Sequence, residues 1–282
     1  DWSSDVCSSD LKLYLVDNSR TSRLKYLEKL DNRIVYIYNN SNIGFGKAHN
    51  IALQKSIEEG VLYHLVLNPD VYFDSGVLEE LFDFMEKNKD VANVMPKVFY
   101  PDGNLQYLCK LLPTPKELIA RRFIKNDETI QKINHHYELR DSGYDKILNI
   151  PFLSGCFMFL RVEYLKEIGL FDEKIFMYCE EKDLNRRLRN SGYEITFDKN
   201  MNYFHLAGER SFSYDEFRMT LDSELYYYRK NNLDEIECLE KRISLFEFVY
   251  FFNRIRLKNQ INLNFYKAVH ECKRRIDEIK KR

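Results

Sequence analysis

Short apolar runs that stop at polar loops, separated by stretches with helical spacing, decide most of what this 282-residue chain can fold into. Residues 11–16 (LKLYLV) stop at Asp17-Asn18-Ser19, and residues 34–38 (IVYIY) stop at the cluster 39–42. Residues 61–67 (VLYHLVL) close at Asn68-Pro69-Asp70. Between these strand-like runs, residues 22–30 space Leu24, Leu27 and Leu30 at helical intervals, and residues 44–58 read as a helix. Residues 76–87 put Leu78, Leu81, Phe82 and Met85 on one helical face, and residues 91–94 return to strand character. Such alternation predicts an α/β fold with a mostly parallel sheet flanked by helices. In a sheet of that kind ligands sit outside the carboxyl ends of the strands, where the three polar loops fall.

Beyond Pro101 the pattern changes. A turn at 101–104 (PDGN) and breaks at Pro113 and Pro115 lead into residues 116–148, charged and weakly periodic, read as an excursion over the active face. Residues 152–161 (FLSGCFMFLR) predict a strand, 162–168 a short helix and 180–190 a helix stopped by Gly192. Residues 193–197 and 201–205 predict two further strands, and the chain reads as helical from 213 to its end. The domain division this implies is 11–212 for the sheet domain and 213–282 for a helical extension.

Composition narrows the classes. Hydrophobic residues at 44% can fill a sizeable core, and a net charge of −1 lacks the positive balance of a nucleic-acid binder. No run of about 18 uncharged apolar residues predicts a spanning helix. Six cysteines without a CxxC pair fit reduced thiols, hence a cytoplasmic setting, and argue against a zinc ribbon or a disulfide scaffold. The first ten residues, DWSSDVCSSD, match neither period and resemble one reading frame of a sequencing adapter. Native sequence is therefore expected to begin near Leu11.

Several residues carry chemistry. Gly44-Phe45-Gly46 lacks the third glycine of a dinucleotide fingerprint, since position 49 is His49, and the following Lys47 is not part of a P-loop. The glycines then either bring a helix N-terminus close to a phosphate or simply open a helix. Asp70, at a strand's carboxyl end, suits a hard divalent cation; capping a turn is the plainer role. Glu180, Glu181 and Asp183 open one helix, where capping is the ordinary role, but three acids in four residues exceed what a cap needs. Crowded carboxylates raise one another's proton affinity and suit a general base. Arg186, Arg187 and Arg189 on the same helix either hold these acids or reach phosphates. His205 is either a satisfied core histidine or a contact to metal or phosphate.

Taken in order, LVDNS (15–19), NIGFGKAHNIAL (42–53), LVLNPDV (65–71), SGCFMFLR (154–161), EIGLFDEKIFMYCEEKDLNRRLRNSGYEI (167–195) and FHLAGERS (204–211) resemble family 2 glycosyltransferases of the A-type nucleotide-sugar-binding fold. Within that family they resemble the rhamnosyltransferase-like group. The resemblance implies that Asp17 contacts the nucleobase and that Asn42, Gly44, His49 and Asn50 line the nucleotide pocket. His49 stands where many relatives carry Arg. Asn68-Pro69-Asp70 matches an Asp-x-Asp metal motif with Asn first, so Asp70 becomes the main ligand for Mg2+ or Mn2+ and His205 a further contact. Glu181 aligns with the base, with Glu180 beside it and Asp183 toward substrate, and Ser154 and Gly155 lie beside the acceptor. The implied reaction is an inverting transfer of a sugar, L-rhamnose from a dTDP donor as the first choice and UDP-sugars as others. Its acceptor would be a glycan or lipid-linked hydroxyl in cell-surface polysaccharide synthesis. A fragment or pseudoenzyme that only binds nucleotide or glycan is the alternative.

Relatives begin with a further strand–helix unit before the segment matching residues 11–16. Its absence predicts an exposed sheet edge and weak donor binding. Residues 241–282 hold 12 Lys/Arg against four Asp/Glu and include the aromatic run 244–257. That segment either packs on the rest of the chain or lies on an anionic membrane surface at the cytoplasmic side.

Overall fold

The computed structural model describes residues 11–111, 127–206, 213–255 and 259–282. The adapter-like residues 1–10, residues 207–211 of the last motif and residues 116–126 of the charged excursion lie outside the described residues. The chain divides into two compact units. One holds the residues up to Cys109 and from Tyr144 to Ala207; the other holds Lys110–Gly143 and Gly208–Arg282. The excursion after Pro101 is therefore split, with residues 110–143 grouped with the C-terminal helices.

In the first unit, β1 (Leu13–Asp17) and β2 (Ile34–Tyr38) form a parallel pair joined by a 3-10 turn at Arg23–Lys29, where the leucine spacing predicts a helix. Helix α1 (Phe45–Glu58) leads to β3 (Tyr63–Leu67), β4 (Val71–Phe73), α2 (Val77–Lys87) and β5 (Val91–Phe99). After β6 (Leu148–Asn149) come β7 (Phe157–Arg161), α4 (Val162–Ile168), α5 (Glu180–Asn190) and β8 (Glu194–His205). Helix α3 (Asp127–Tyr137) belongs to the second unit, with α6 (Tyr214–Lys230), α7 (Glu235–Ile255) and α8 (Asn259–Lys280).

The larger sheet runs β3-β7-β5-β8-β4, with β6 also paired to β8. The α/β class stands, but the expected predominance of parallel strands does not. Among the described residues only β1/β2 and β5/β8 are parallel, while β3/β7, β5/β7, β4/β8 and β6/β8 are antiparallel. A short βα crossover forces parallel pairing. The long path from Phe99 to Phe157 carries no such constraint, and β7 enters the sheet reversed. The two strands expected at 193–197 and 201–205 are one strand, β8, with a register shift opposite Pro96 and Lys97.

The core of this unit lies on β5, β7 and β8. Val94, Met95, Phe157, Met158, Leu160, Phe197 and Tyr203 are buried there, covered by Leu53 of α1, Leu81 and Met85 of α2, and Leu184 and Leu188 of α5. By contrast every residue of β2 is only half-buried. Among the described residues β1 pairs only with β2, and β3 only with β7. In the second unit Phe217, Leu221, Leu225, Leu239, Phe246, Ala268 and Cys272 form a helical core. Phe246 is thus the one aromatic of 244–257 whose place is described. Among the described residues five basic residues of the tail pair within the unit: Lys241 with Glu237, Arg242 with Glu224, Lys273 with Glu247, Arg274 with Glu271, and Arg275 with Asp222.

Candidate active site

Asp17 ends β1 as a buried carboxylate. Its Oδ1 accepts the Ser19 amide at 2.8 Å and its Oδ2 accepts the Tyr36 hydroxyl at 2.6 Å. The Tyr36 hydroxyl holds the Asp17 carboxyl below its ordinary range, the Ser19 bonds adding to this against the opposing effect of burial. Burial, followed by the Asp17 carboxylate, pushes the Tyr36 phenol up to about 12. Tyr36, invisible as a site residue in the sequence, sets the charge and direction of Asp17. Beside it Asn18 accepts from Asn39 Nδ2 at 2.8 Å and donates to the Gly44 carbonyl at 3.2 Å. Asn42 is exposed and accepts the Gly44 amide at 3.1 Å.

The space at the two glycines goes to the protein itself. Gly44 has φ 92°, and a Cβ there would lie 2.4 Å from the Phe176 carbonyl oxygen. That carbonyl accepts the Phe45 amide at 3.0 Å, so the segment ahead of α5 caps α1. At Gly46 a Cβ would meet Phe171 Cβ at 2.9 Å. Asn50 is buried, and its amide is engaged: Nδ2 donates to the Phe171 carbonyl at 2.9 Å and to Glu173 at 3.2 Å, while Oδ1 accepts the Phe171 amide at 3.0 Å. His49 packs on the rings of Phe45 and Phe171, and burial, then the His64 charge, lowers its pKa to about 4. It is neutral at pH 7 and does not replace the charge of an arginine.

Two consecutive residues in the left-handed region, Tyr178 (φ 68°) and Cys179 (φ 75°), turn the chain into α5. Non-glycine residues adopt this conformation at a cost and concentrate at functional sites. Glu180 then falls in the interior with Oε2 buried and unpartnered, whereas Glu181 stays half-buried. Burial first, and the neighbouring Glu181 charge second, raise the Glu180 carboxyl to about 8. Asp183 is buried and paired with Arg187 at 2.8 Å. Arg187 also binds the carbonyls of Ile168, Gly169 and Leu170, so of the two sequence readings this arginine takes the holding role.

Gly155 lies against Glu181: a Cβ there would be 3.6 Å from Glu181 Cβ. Ser154 hydrogen-bonds the Cys156 thiol, and the Cys156 carbonyl accepts the Asn68 amide at 3.0 Å. Residues 154–156 therefore run from Glu181 to the turn that holds Asp70.

Strand register brings Asp70 and His205 together, because Val71 of β4 pairs with His205 of β8. His205 Nε2 is 3.4 Å from Asp70 Oδ2, and Asp70 Oδ1 is buried without a hydrogen-bond partner. His205 Nδ1 lies 3.1 Å from Oε1 of Gln106, a residue the sequence did not mark. An oxygen without a partner beside an imidazole nitrogen fits a divalent cation. Among the described residues no cluster of three or more His, Cys, Asp or Glu forms a closed metal cage. A two-residue site leaves positions for substrate phosphates, as Mg2+ and Mn2+ sites commonly do.

The model of the family described as "Glycosyl transferase family 2" matches residues 7–169. Rhamnosyltransferase WbbL of Escherichia coli K12 is 25% identical over 197 residues, which cover 67% of this chain and 72% of that protein. An N-acetylglucosaminyl-diphospho-decaprenol L-rhamnosyltransferase of Mycobacterium tuberculosis is 23% identical over 169 residues, and the chain spans 52% of it. The crystal structure of GalNAc-T7 with UDP, GalNAc and Mn2+ shares the fold, with a TM-score of 0.51 and 16% identity over 76% of this chain and 41% of that one. With the family model matched over more than half its length, and rhamnosyltransferases among its relatives, the chain belongs to glycosyl transferase family 2.

Proposed function

We propose that the chain performs an inverting, divalent-metal-dependent sugar transfer, with L-rhamnose from dTDP-rhamnose as the first donor to test. The observation that carries this reading is the Asp70–His205 pair with its orphaned oxygen, joined through residues 154–156 to Glu181. The two rhamnosyltransferase relatives support the choice of sugar, and the mycobacterial relative's name supports a lipid-linked acceptor.

In this reading Asp17, aimed by Tyr36, accepts from the nucleobase. Asp70 and His205 would hold Mg2+ or Mn2+, and the bound cation would offset negative charge on the nucleoside diphosphate as it leaves. Glu181 takes the proton of the acceptor hydroxyl as that oxygen bonds to the anomeric carbon and the sugar–phosphate bond breaks on the opposite face. Glu180 holds its proton at neutral pH, so Glu181 is the carboxylate left to act as base. Where burial keeps one of two adjacent acids neutral, the other is left to act as base. Ser154 and Gly155 border the acceptor side.

The test is a panel of dTDP- and UDP-sugars with Mn2+ or Mg2+ and a lipid-linked glycan acceptor. Metal-dependent release of dTDP from dTDP-rhamnose, with transfer to the acceptor, is the expected result. Release from UDP-sugars alone overturns the donor, and nucleotide release undiminished by EDTA overturns the metal.

A further inference from the structure

We propose that Gln106 is a positioning residue that fixes His205 as its Nδ1–H tautomer and thereby presents the Nε2 lone pair to a cation shared with Asp70. The proposal rests on the metal reading of that pair, and it follows from counting donors and acceptors.

Gln106 is 3% exposed, so its amide must find partners within the protein. The turn at Pro101–Asn104 folds the chain back, and the Gln106 amide N–H donates to the Val98 carbonyl at 2.8 Å. This seats the side chain at the end of β5, next to β8. Nε2 donates to the His205 carbonyl at 2.7 Å and to the Phe99 carbonyl at 3.3 Å. Carbonyl oxygens only accept, so the end of the amide facing them is the NH2 group. The other end, Oε1, is then an acceptor, and it lies 3.1 Å from His205 Nδ1. Only a protonated Nδ1 makes that contact favourable.

A neutral imidazole with its proton on Nδ1 has a bare lone pair on Nε2. That lone pair lies 3.4 Å from Asp70 Oδ2. Two acceptors that close repel each other until a cation lies between them. The buried, unpartnered Asp70 Oδ1 is a second acceptor at the same place. Metal-bound histidines depend on such a partner at the second ring nitrogen, which sets both tautomer and ring direction. Here one glutamine does this while its NH2 group binds the backbone carbonyl of the histidine it orients.

The experiment is two-bond 1H–15N NMR of the histidine-labelled protein at neutral pH, with His205 assigned by His205→Gln, followed by titration with MnCl2 alone and with dTDP. The expected spectrum shows His205 protonated at Nδ1 only, with Mn2+ broadening its Nε2 signal first. Gln106→Met, similar in length but unable to hydrogen-bond, should mix the tautomers and weaken Mn2+ binding by about 10–100-fold. A wild-type His205 protonated at Nε2, or at both nitrogens, overturns the proposal even if the variant does not fold. Unchanged Mn2+ affinity in a folded Gln106→Met also overturns it. A wild-type His205 in the Nδ1–H form that ignores Mn2+ with and without dTDP overturns the metal reading itself, and the proposal with it.

Discussion

Glu180 and Glu181 are neighbours in sequence, but Glu180 is buried and Glu181 only half-buried. Glu180 keeps a proton up to about pH 8, whereas an unfolded glutamic acid loses it near 4.5. Between those values the folded chain binds the extra proton, so this group's contribution to stability is full below 4.5 and is lost as pH rises to 8. The slope is at most about 1.4 kcal/mol per pH unit. Glu180→Gln should flatten the fall in melting temperature between pH 5 and 8; parallel curves for variant and wild type would refute the buried proton. His49 runs the other way: its stability is present above 6.5 and lost as pH falls to about 4. For Glu181→Gln the expected loss of transfer at neutral pH is about 10²–10⁴-fold, the scale of general-base assistance. Asp70, Glu181 and His205 were marked as candidates in the sequence because each stands at a strand or helix end beside a polar motif. Tyr36 and Gln106 were not, because their partners lie 19 and 99 residues away and no local spacing encodes such contacts.

At the level of elements, the start of α1 is fixed by a glycine that the segment ahead of α5 packs against. The sequence marks Gly44 as a place for close approach, and the structure agrees, but what approaches is the Phe176 carbonyl. Gly44→Ala meets both an unfavourable φ and a contact that no Cβ tolerates. The expected cost is at least about 1–3 kcal/mol, read as a lower urea midpoint, with Glu181-dependent transfer reduced because the segment leading into α5 loses its seat. A variant as stable and active as wild type would show that the contact is not maintained. Strand β4, only three residues long, carried no usable period, yet its pairing with β8 places Asp70 beside His205. Helices α4 and α5 matched their expected bounds because caps and apolar spacing agree there.

Over the whole chain, the α/β class was legible in the alternation, while strand direction was not, since a sequence run looks alike in either orientation. The split between two sheets sets unequal stability. β1 and β2 are half-buried, whereas β5 and β7 are almost wholly buried. Amides of β1 and β2 should therefore exchange with solvent at lower opening free energies than those of β5 and β7, a difference that hydrogen-exchange mass spectrometry resolves. Equal protection in both sheets would refute it. Helix α1 ties the smaller sheet at both ends: Lys12 and Tyr14 meet Glu59 just past its last turn, and Asn18 meets Gly44 at its first. The helix thus fastens the strand that ends in Asp17, while Asp70 and His205 are set by strand pairing in the larger sheet. In the proposed reading, Glu59→Gln changes an exposed carboxylate outside the proposed site and is expected to shift donor affinity while leaving the groups assigned to the sugar unaltered.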